Sequence, residues 1–139
     1  MRVDKGLVYP IYLKRHNSLM AKLNHVGIYV SDLEASIEFY QDLFEFPVAR
    51  EFTSGDAKIK MLDLGTGMLE LVKKPGSPGT PPNGNWGHLA ISESKFDSVL
   101  KKLEKRSIVT RLVTMDNGNR LCFFSDPDGH VIEIMDFKS

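Results

Sequence analysis

Hydrophobic and polar positions along this chain pass through the same succession of periods twice. Each half opens on a short apolar stretch of strand length, His25 to Val30 and then His88 to Ile91. Helical spacing follows. Leu33, Ile37, Tyr40 and Phe44 would line one face of a first helix, with Ser31 and Glu34 reading as a capping box and Pro47 as a stop. In the second half Ser94 and Asp97 take the capping parts, and Phe96, Leu100 and Leu103 form the stripe. Three strand-like segments come after each helix, at 48–53, 58–64 and 67–73, then at 109–115, 120–125 and 130–136. Turn residues separate them, including Ser54-Gly55-Asp56, Gly65-Thr66-Gly67 and Asp116-Asn117-Gly118-Asn119. Asp126-Pro127-Asp128-Gly129 suits a type I turn with a bulge, folding Leu121–Ser125 back on His130–Met135.

Laid over each other at an offset of 63, the halves match in pattern more than in identity. His25-Val26-Gly27-Ile28 falls on His88-Leu89-Ala90-Ile91, and Leu69-Glu70-Leu71 on Ile132-Glu133-Ile134. This is the mark of an old duplication. The expectation is an α+β fold of two βαβββ modules, whose small sheets curve around a cavity. Module 1 covers about residues 22–74, a Pro- and Gly-rich linker 75–85, and module 2 about 86–137, making a single domain over 21–139 behind an N-terminal extension of 1–20.

Composition narrows the function classes. A chain of 139 residues with 42% hydrophobic and 26% charged residues fits one ordinary globular domain. Lys plus Arg and Asp plus Glu both number 18, and this balance argues against a nucleic-acid or acidic-membrane partner. The one basic cluster, Lys101, Lys102, Lys105 and Arg106, is expected on a solvated helix face. Cys122 is the sole cysteine, which excludes an intrachain disulfide, fits the reducing cytoplasm and suits a small buried core residue. No apolar run approaches the roughly 18–20 residues of a membrane span. Residues 1–20, interrupted by Pro10 and several basic residues, make a poor signal peptide.

The candidate chemistry lies in two His–Glu couples. His25 and Glu70 are 45 residues apart, as are His88 and Glu133. Each Glu sits in an apolar strand: Met68, Glu70 and Val72 share one face with Leu69 and Leu71 behind, and Val131, Glu133 and Met135 repeat the arrangement. Both faces are apolar, so both strands are expected to be buried on both sides. A buried carboxylate needs a compensating cation. For one Glu an ordinary salt bridge would serve. Two at equivalent positions, each matched to a His, point to a divalent metal held by His25, Glu70, His88 and Glu133. Such a nitrogen and oxygen set, without thiolate, suits Ni, Zn, Co or Mn. His16 and His130 have no counterpart in the repeat, and His130, beside the turn, is expected to be structural or solvated.

The stretches Asn24–Leu33, Ser36-Ile37-Glu38-Phe39-Tyr40, Gly87–Ser92 and Phe124–Glu133 resemble the vicinal-oxygen-chelate superfamily, which includes glyoxalase I, ring-cleavage dioxygenases and the bleomycin and fosfomycin resistance proteins. Glu70 at the second ligand position resembles glyoxalase I most. The resemblance implies a metal-dependent lyase or isomerase acting on a small α-oxo or hemithioacetal substrate by proton transfer through a metal-stabilised enediolate. Glu133 is then the first choice for the base and Glu70 the second. It also implies a homodimer with two sites. Two alternatives stand beside it: a small-molecule or drug-binding resistance protein, and a metal-dependent dioxygenase or thiol transferase. Glutathione-using members carry Arg four residues after the first His and Asn four after the first Glu; Tyr29 and Lys74 stand there in this chain. Lys74 can meet a carboxylate as a point charge without reproducing the hydrogen bonds of Asn, which leaves glutathione or another thiol open as co-substrate. Arg111 and Arg120 are candidates for substrate anions, and Trp86 for the pocket wall.

Overall fold

The computed structural model describes residues 21–76 and 86–136. The extension 1–20 with His16, and most of the linker, lie outside the described residues. The first module runs β1 (His25–Tyr29), α1 (Leu33–Phe44), β2 (Val48–Ser54), β3 (Ala57–Asp63) and β4 (Met68–Lys73). The second runs β5 (Leu89–Ser92), α2 (Phe96–Lys105), β6 (Arg111–Thr114), β7 (Arg120–Ser125) and β8 (Val131–Asp136). Each module forms one four-stranded sheet, in the orders β1-β4-β3-β2 and β5-β8-β7-β6. Short turns make the last three strands of each sheet antiparallel, while the first strand lies parallel to the last.

Alternation along the strands sorts their side chains into two faces. Ile28, Leu62, Leu69 and Leu71 from the first sheet and Cys122, Phe124, Ile132 and Ile134 from the second pack into one core with both helices. Ile37, Phe39, Tyr40 and Leu43 of α1 and Phe96, Val99 and Leu103 of α2 fill the space between. Each such side chain stabilises the fold by about 1.5–3 kcal/mol. The helices are thus shared filling, and each sheet turns its second face away from the common core. That second face is more open than expected from the sequence of β4: Leu69 and Leu71 are fully buried, whereas Met68, Glu70 and Val72 are only half-buried.

The helix starts differ from the expected caps. Asp32, not Ser31, caps α1 by accepting the Ala35 N–H. Ser31 is drawn to the other module, where its N–H and hydroxyl both donate to the Asp128 carboxylate. At α2 the cap position is Lys95, with no side-chain cap; Glu93 accepts the Lys95 N–H instead of Ser94. The basic cluster is also less solvated than expected. Lys102 donates to the Asp42 carbonyl at 2.6 Å, and Arg106 reaches Asp42 at 2.9 Å as well as Glu38, so these two bind α2 to α1. Lys101 and Lys105 remain exposed.

The turn before β8 has the expected bulged form. Gly129 N–H donates to Asp126 O at 3.0 Å, Asp126 N–H donates to His130 O at 2.9 Å, and Gly129 takes φ 91°. Only glycine adopts that φ without strain. Asp126 is buried and accepts from the Asp128 and His130 N–H groups, from His130 Nδ1 at 2.9 Å and from the Tyr40 hydroxyl at 2.7 Å. His130 is therefore structural. Burial, and then the Asp126 charge, hold the Tyr40 phenol well above its usual pKa. Cys122 is fully buried, as expected.

Candidate metal centre

Strand register explains how each couple meets. In the first sheet His25 pairs with Met68 and Gly27 with Glu70. His25 and Glu70 are therefore diagonal neighbours on the outward face, with Gly27 between them. His25 Nε2 lies 3.8 Å from Glu70 Oε1. Asn24 Oδ1 sits 2.7 Å from His25 Nδ1, and this contact fixes the ring with its Nε2 turned toward the carboxylate. This is how an outer partner orients a metal-binding imidazole. Gly27 leaves the room Glu70 uses: a Cβ there would stand 3.0 Å from Oε1.

The second sheet repeats the arrangement. Leu89 pairs with Ile132 and Ala90 with Glu133, so His88, just before β5, is diagonal to Glu133. His88 Nε2 lies 2.9 Å from Glu133 Oε1, and the side chains are 45% and 10% exposed. Among the described residues no Lys or Arg pairs with Glu133 or Glu70. A nearly buried carboxylate compensated only by an imidazole is short of positive charge, which a divalent ion would supply. The donor set fits such an ion.

The four side chains come together as two pairs, not as one set. Among the described residues no three His, Cys, Asp or Glu side chains are grouped as a metal cage would require. The shared core gives the reason: both sheets pack inward on the helices, so the two outward faces carry their couples apart.

The other sequence candidates divide. Arg120 is committed to Asp97 at 2.9 Å and Asp136 at 2.7 Å, and it covers the Phe96 ring; these acids hold its guanidinium more basic than usual and leave it unsuited to substrate. Trp86 donates from Nε1 to the Val131 carbonyl at 3.3 Å and meets His130 edge-on, which places it as packing. Lys74 is exposed, with its ammonium 5.4 Å from the Tyr29 ring centroid. Arg111 lies over Phe123 at 4.3 Å, beside an open cavity of about 390 Å³ lined in part by Thr110, Arg111, Phe123, Ser125 and Val131. Asn24 and Gly27 were not singled out by sequence; the signal for Gly27 was a glycine inside a strand, which often marks a close approach.

This fold, with its His–Glu pair repeated at equivalent positions, defines a two-module scaffold of paired βαβββ units. The chain belongs to the Glyoxalase/Bleomycin resistance protein/Dioxygenase superfamily, whose family model matches residues 22–134. It is 30% identical over 124 residues to the uncharacterized protein YwkD of Bacillus subtilis (strain 168), covering 84% of this chain and 97% of the relative. It is 26% identical over 126 residues to a probable lactoylglutathione lyase of Synechocystis sp. (strain ATCC 27184 / PCC 6803 / Kazusa), covering 84% and 96%. A solved glyoxalase family protein from Enterococcus faecalis superposes with a TM-score of 0.69 at 28% identity, over 84% of this chain and 98% of that one. Among the described residues no helix is long and apolar enough to cross a membrane.

Proposed function

We propose that the chain is a metal-dependent lyase or isomerase of glyoxalase I type, moving a proton between adjacent carbons of a small α-oxo or hemithioacetal substrate. The observation that carries this is the second couple: Glu133 is 10% exposed, pairs with no Lys or Arg among the described residues, and has His88 Nε2 at 2.9 Å. The sequence similarity to a probable lactoylglutathione lyase points the same way.

In this reading His25 and Glu70 from one copy face His88 and Glu133 from a second, and the homodimer holds two sites. Exposed Tyr29 and Phe52 on the first outward face, and exposed Val109 beside the cavity next to Arg111, give a partner copy apolar surface to cover. His25, Glu70, His88 and Glu133 would hold the ion, which would supply positive charge beside the substrate oxygens. Glu133 takes the carbon-bound proton and returns it to the neighbouring carbon; Glu70 faces it across the cavity. His25, fixed by Asn24, and His88 set the positions of the two carboxylates.

The test joins metal content of the purified protein with turnover of methylglyoxal hemithioacetals made from glutathione and from other thiols. One ion per chain and a measurable rate with at least one thiol are expected. Glu133→Gln should lower that rate by about 100-fold or more. Full metal loading with no turnover of any hemithioacetal would reject the lyase reading; failure to take up Ni²⁺ or Zn²⁺ would reject the metal site with it.

A further inference from the structure

Reading across the strands of each outward face gives two equivalent rows. In the first sheet Gly27 pairs with Glu70, Glu70 with Met61, and Met61 with Arg50. In the second Ala90 pairs with Glu133, Glu133 with Phe123, and Phe123 with Arg111. Each candidate metal carboxylate thus has an arginine on its own face two strands away, roughly 10 Å backbone to backbone. The equivalence is hidden in the sequence, because Arg50 and Arg111 are 61 apart whereas the couples are offset by 63.

A bulge puts Arg50 in its row. Val48 pairs with Leu62, a core residue, and the register then slips so that Arg50, not Ala49, pairs with Met61. Without the extra residue Arg50 would share the face of Val48. A bulge that re-aims one side chain is a recurrent device beside binding sites. Both arginines are also braced on an aromatic ring, Arg50 over Phe52 at 5.0 Å and Arg111 over Phe123 at 4.3 Å. Such stacking fixes the plane of the guanidinium.

Charge pairing separates these two from the rest. Of the four arginines among the described residues, Arg106 is paired with Glu38 and Asp42, and Arg120 with Asp97 and Asp136. Arg50 and Arg111 have no carboxylate partner among the described residues, and neighbouring Glu51 is paired with Lys60 at 2.8 Å. Shielding of an edge strand would be served by a charge at any exposed position along it. It gives no reason for the same row in both sheets.

We propose that Arg50 and Arg111 are the anion-binding side chains of the substrate cavity, and that the substrate is a dianion carrying a carboxylate or similar oxyanion toward each of its two ends. Each guanidinium offers a planar fork that matches a carboxylate. The cavity beside Arg111, about 390 Å³, is large enough for a small organic acid. The inference rests on the two outward faces sharing one cavity, as in the functional reading above.

The test is calorimetric titration of the full-length, metal-free protein with succinate, glutarate and adipate, against butyrate, valerate and hexanoate as monoanions of matching length. At least one dicarboxylate should bind about tenfold or more tightly than its monocarboxylate match. Arg50→Gln and Arg111→Gln should each remove most of that preference, and Arg111→Lys should keep part of it. Equal binding of mono- and dicarboxylates, no binding of either, or full preference in both Gln variants would overturn the proposal. Metal uptake by the same samples is read separately. Loss of uptake with dicarboxylate preference intact would count against the metal reading alone, and normal uptake without that preference against the arginines alone.

Discussion

Gly27 and Glu70 face each other across β1 and β4, and a Cβ on Gly27 would lie 3.0 Å from the Glu70 carboxylate oxygen. The contact is with the far end of a flexible side chain, so added bulk would move Glu70 more readily than the backbone. Gly27→Val should therefore leave the melting temperature unchanged or raise it, since a β-branched residue suits a strand better than glycine. Metal affinity should fall by about tenfold or more as Glu70 turns away from His25. Thermal unfolding and metal titration of one sample check both halves. The second sheet carries Ala90 at the matching position, so it tolerates one methyl; the effect of Val in place of Gly27 should exceed that of Gly27→Ala.

If each site takes one couple from each copy, two inactive variants should repair one another. A chain with His25→Ala and Glu70→Gln, and a chain with His88→Ala and Glu133→Gln, should each fail to hold metal as homodimers. Refolded together at equal amounts, half the dimers would be mixed and one of two sites in each would be intact, restoring about a quarter of the sites. Couples that meet within one chain would give no recovery on mixing. Metal bound per chain, measured before and after mixing, decides between the arrangements.

The period-2 and helical runs made the repeated βαβββ order legible, because each strand's buried face is written in its alternation: Leu69 and Leu71, then Ile132 and Ile134, behind the two glutamates. The couples were legible for the same reason, as polar residues recurring where apolar ones were expected. What the chain alone did not disclose depends on distant partners. Ser31 has the chemistry of a cap, yet Asp128, 97 residues on, takes both its hydrogens. Arg106 reads as a solvated charge until α1 brings Glu38 and Asp42 beside it. The row holding Arg50 depends on a register slip of one residue, to which periodicity is blind.

Tyr40 binds the first module to the turn of the second through its hydrogen bond to Asp126. Tyr40→Phe should cost about 1–2 kcal/mol near neutral pH, because buried Asp126 loses one donor while keeping two backbone N–H groups and His130. Its pH signature is separable. Burial and Asp126 raise the phenol pKa in the folded state, so folding favours the protonated form. The contribution is fully present below the unfolded value of about 10 and is lost as pH rises through the higher folded value. Wild-type stability should thus fall more steeply than that of Tyr40→Phe between about pH 9 and 11. Parallel denaturation curves for the two proteins across that range would rule out this role for the pair.

Cys122 supplies a last check on the shared core. It reaches neither a sheet edge nor a cavity: its side chain is fully buried among both helices and the second sheet, and burial pushes its thiol pKa up. A thiolate is the reactive form, so two effects act together, loss of access and loss of ionisation. A disulfide reagent at pH 8 should leave the native protein unlabelled over hours and modify one thiol per chain at once in denaturant. Cys122→Ala should retain metal binding while costing about 1–2 kcal/mol, the loss expected on removing one buried heavy atom from a packed core. Rapid labelling of the folded protein would mean that the space between the sheets opens, so that the shared core does not hold the two outward faces apart within one chain.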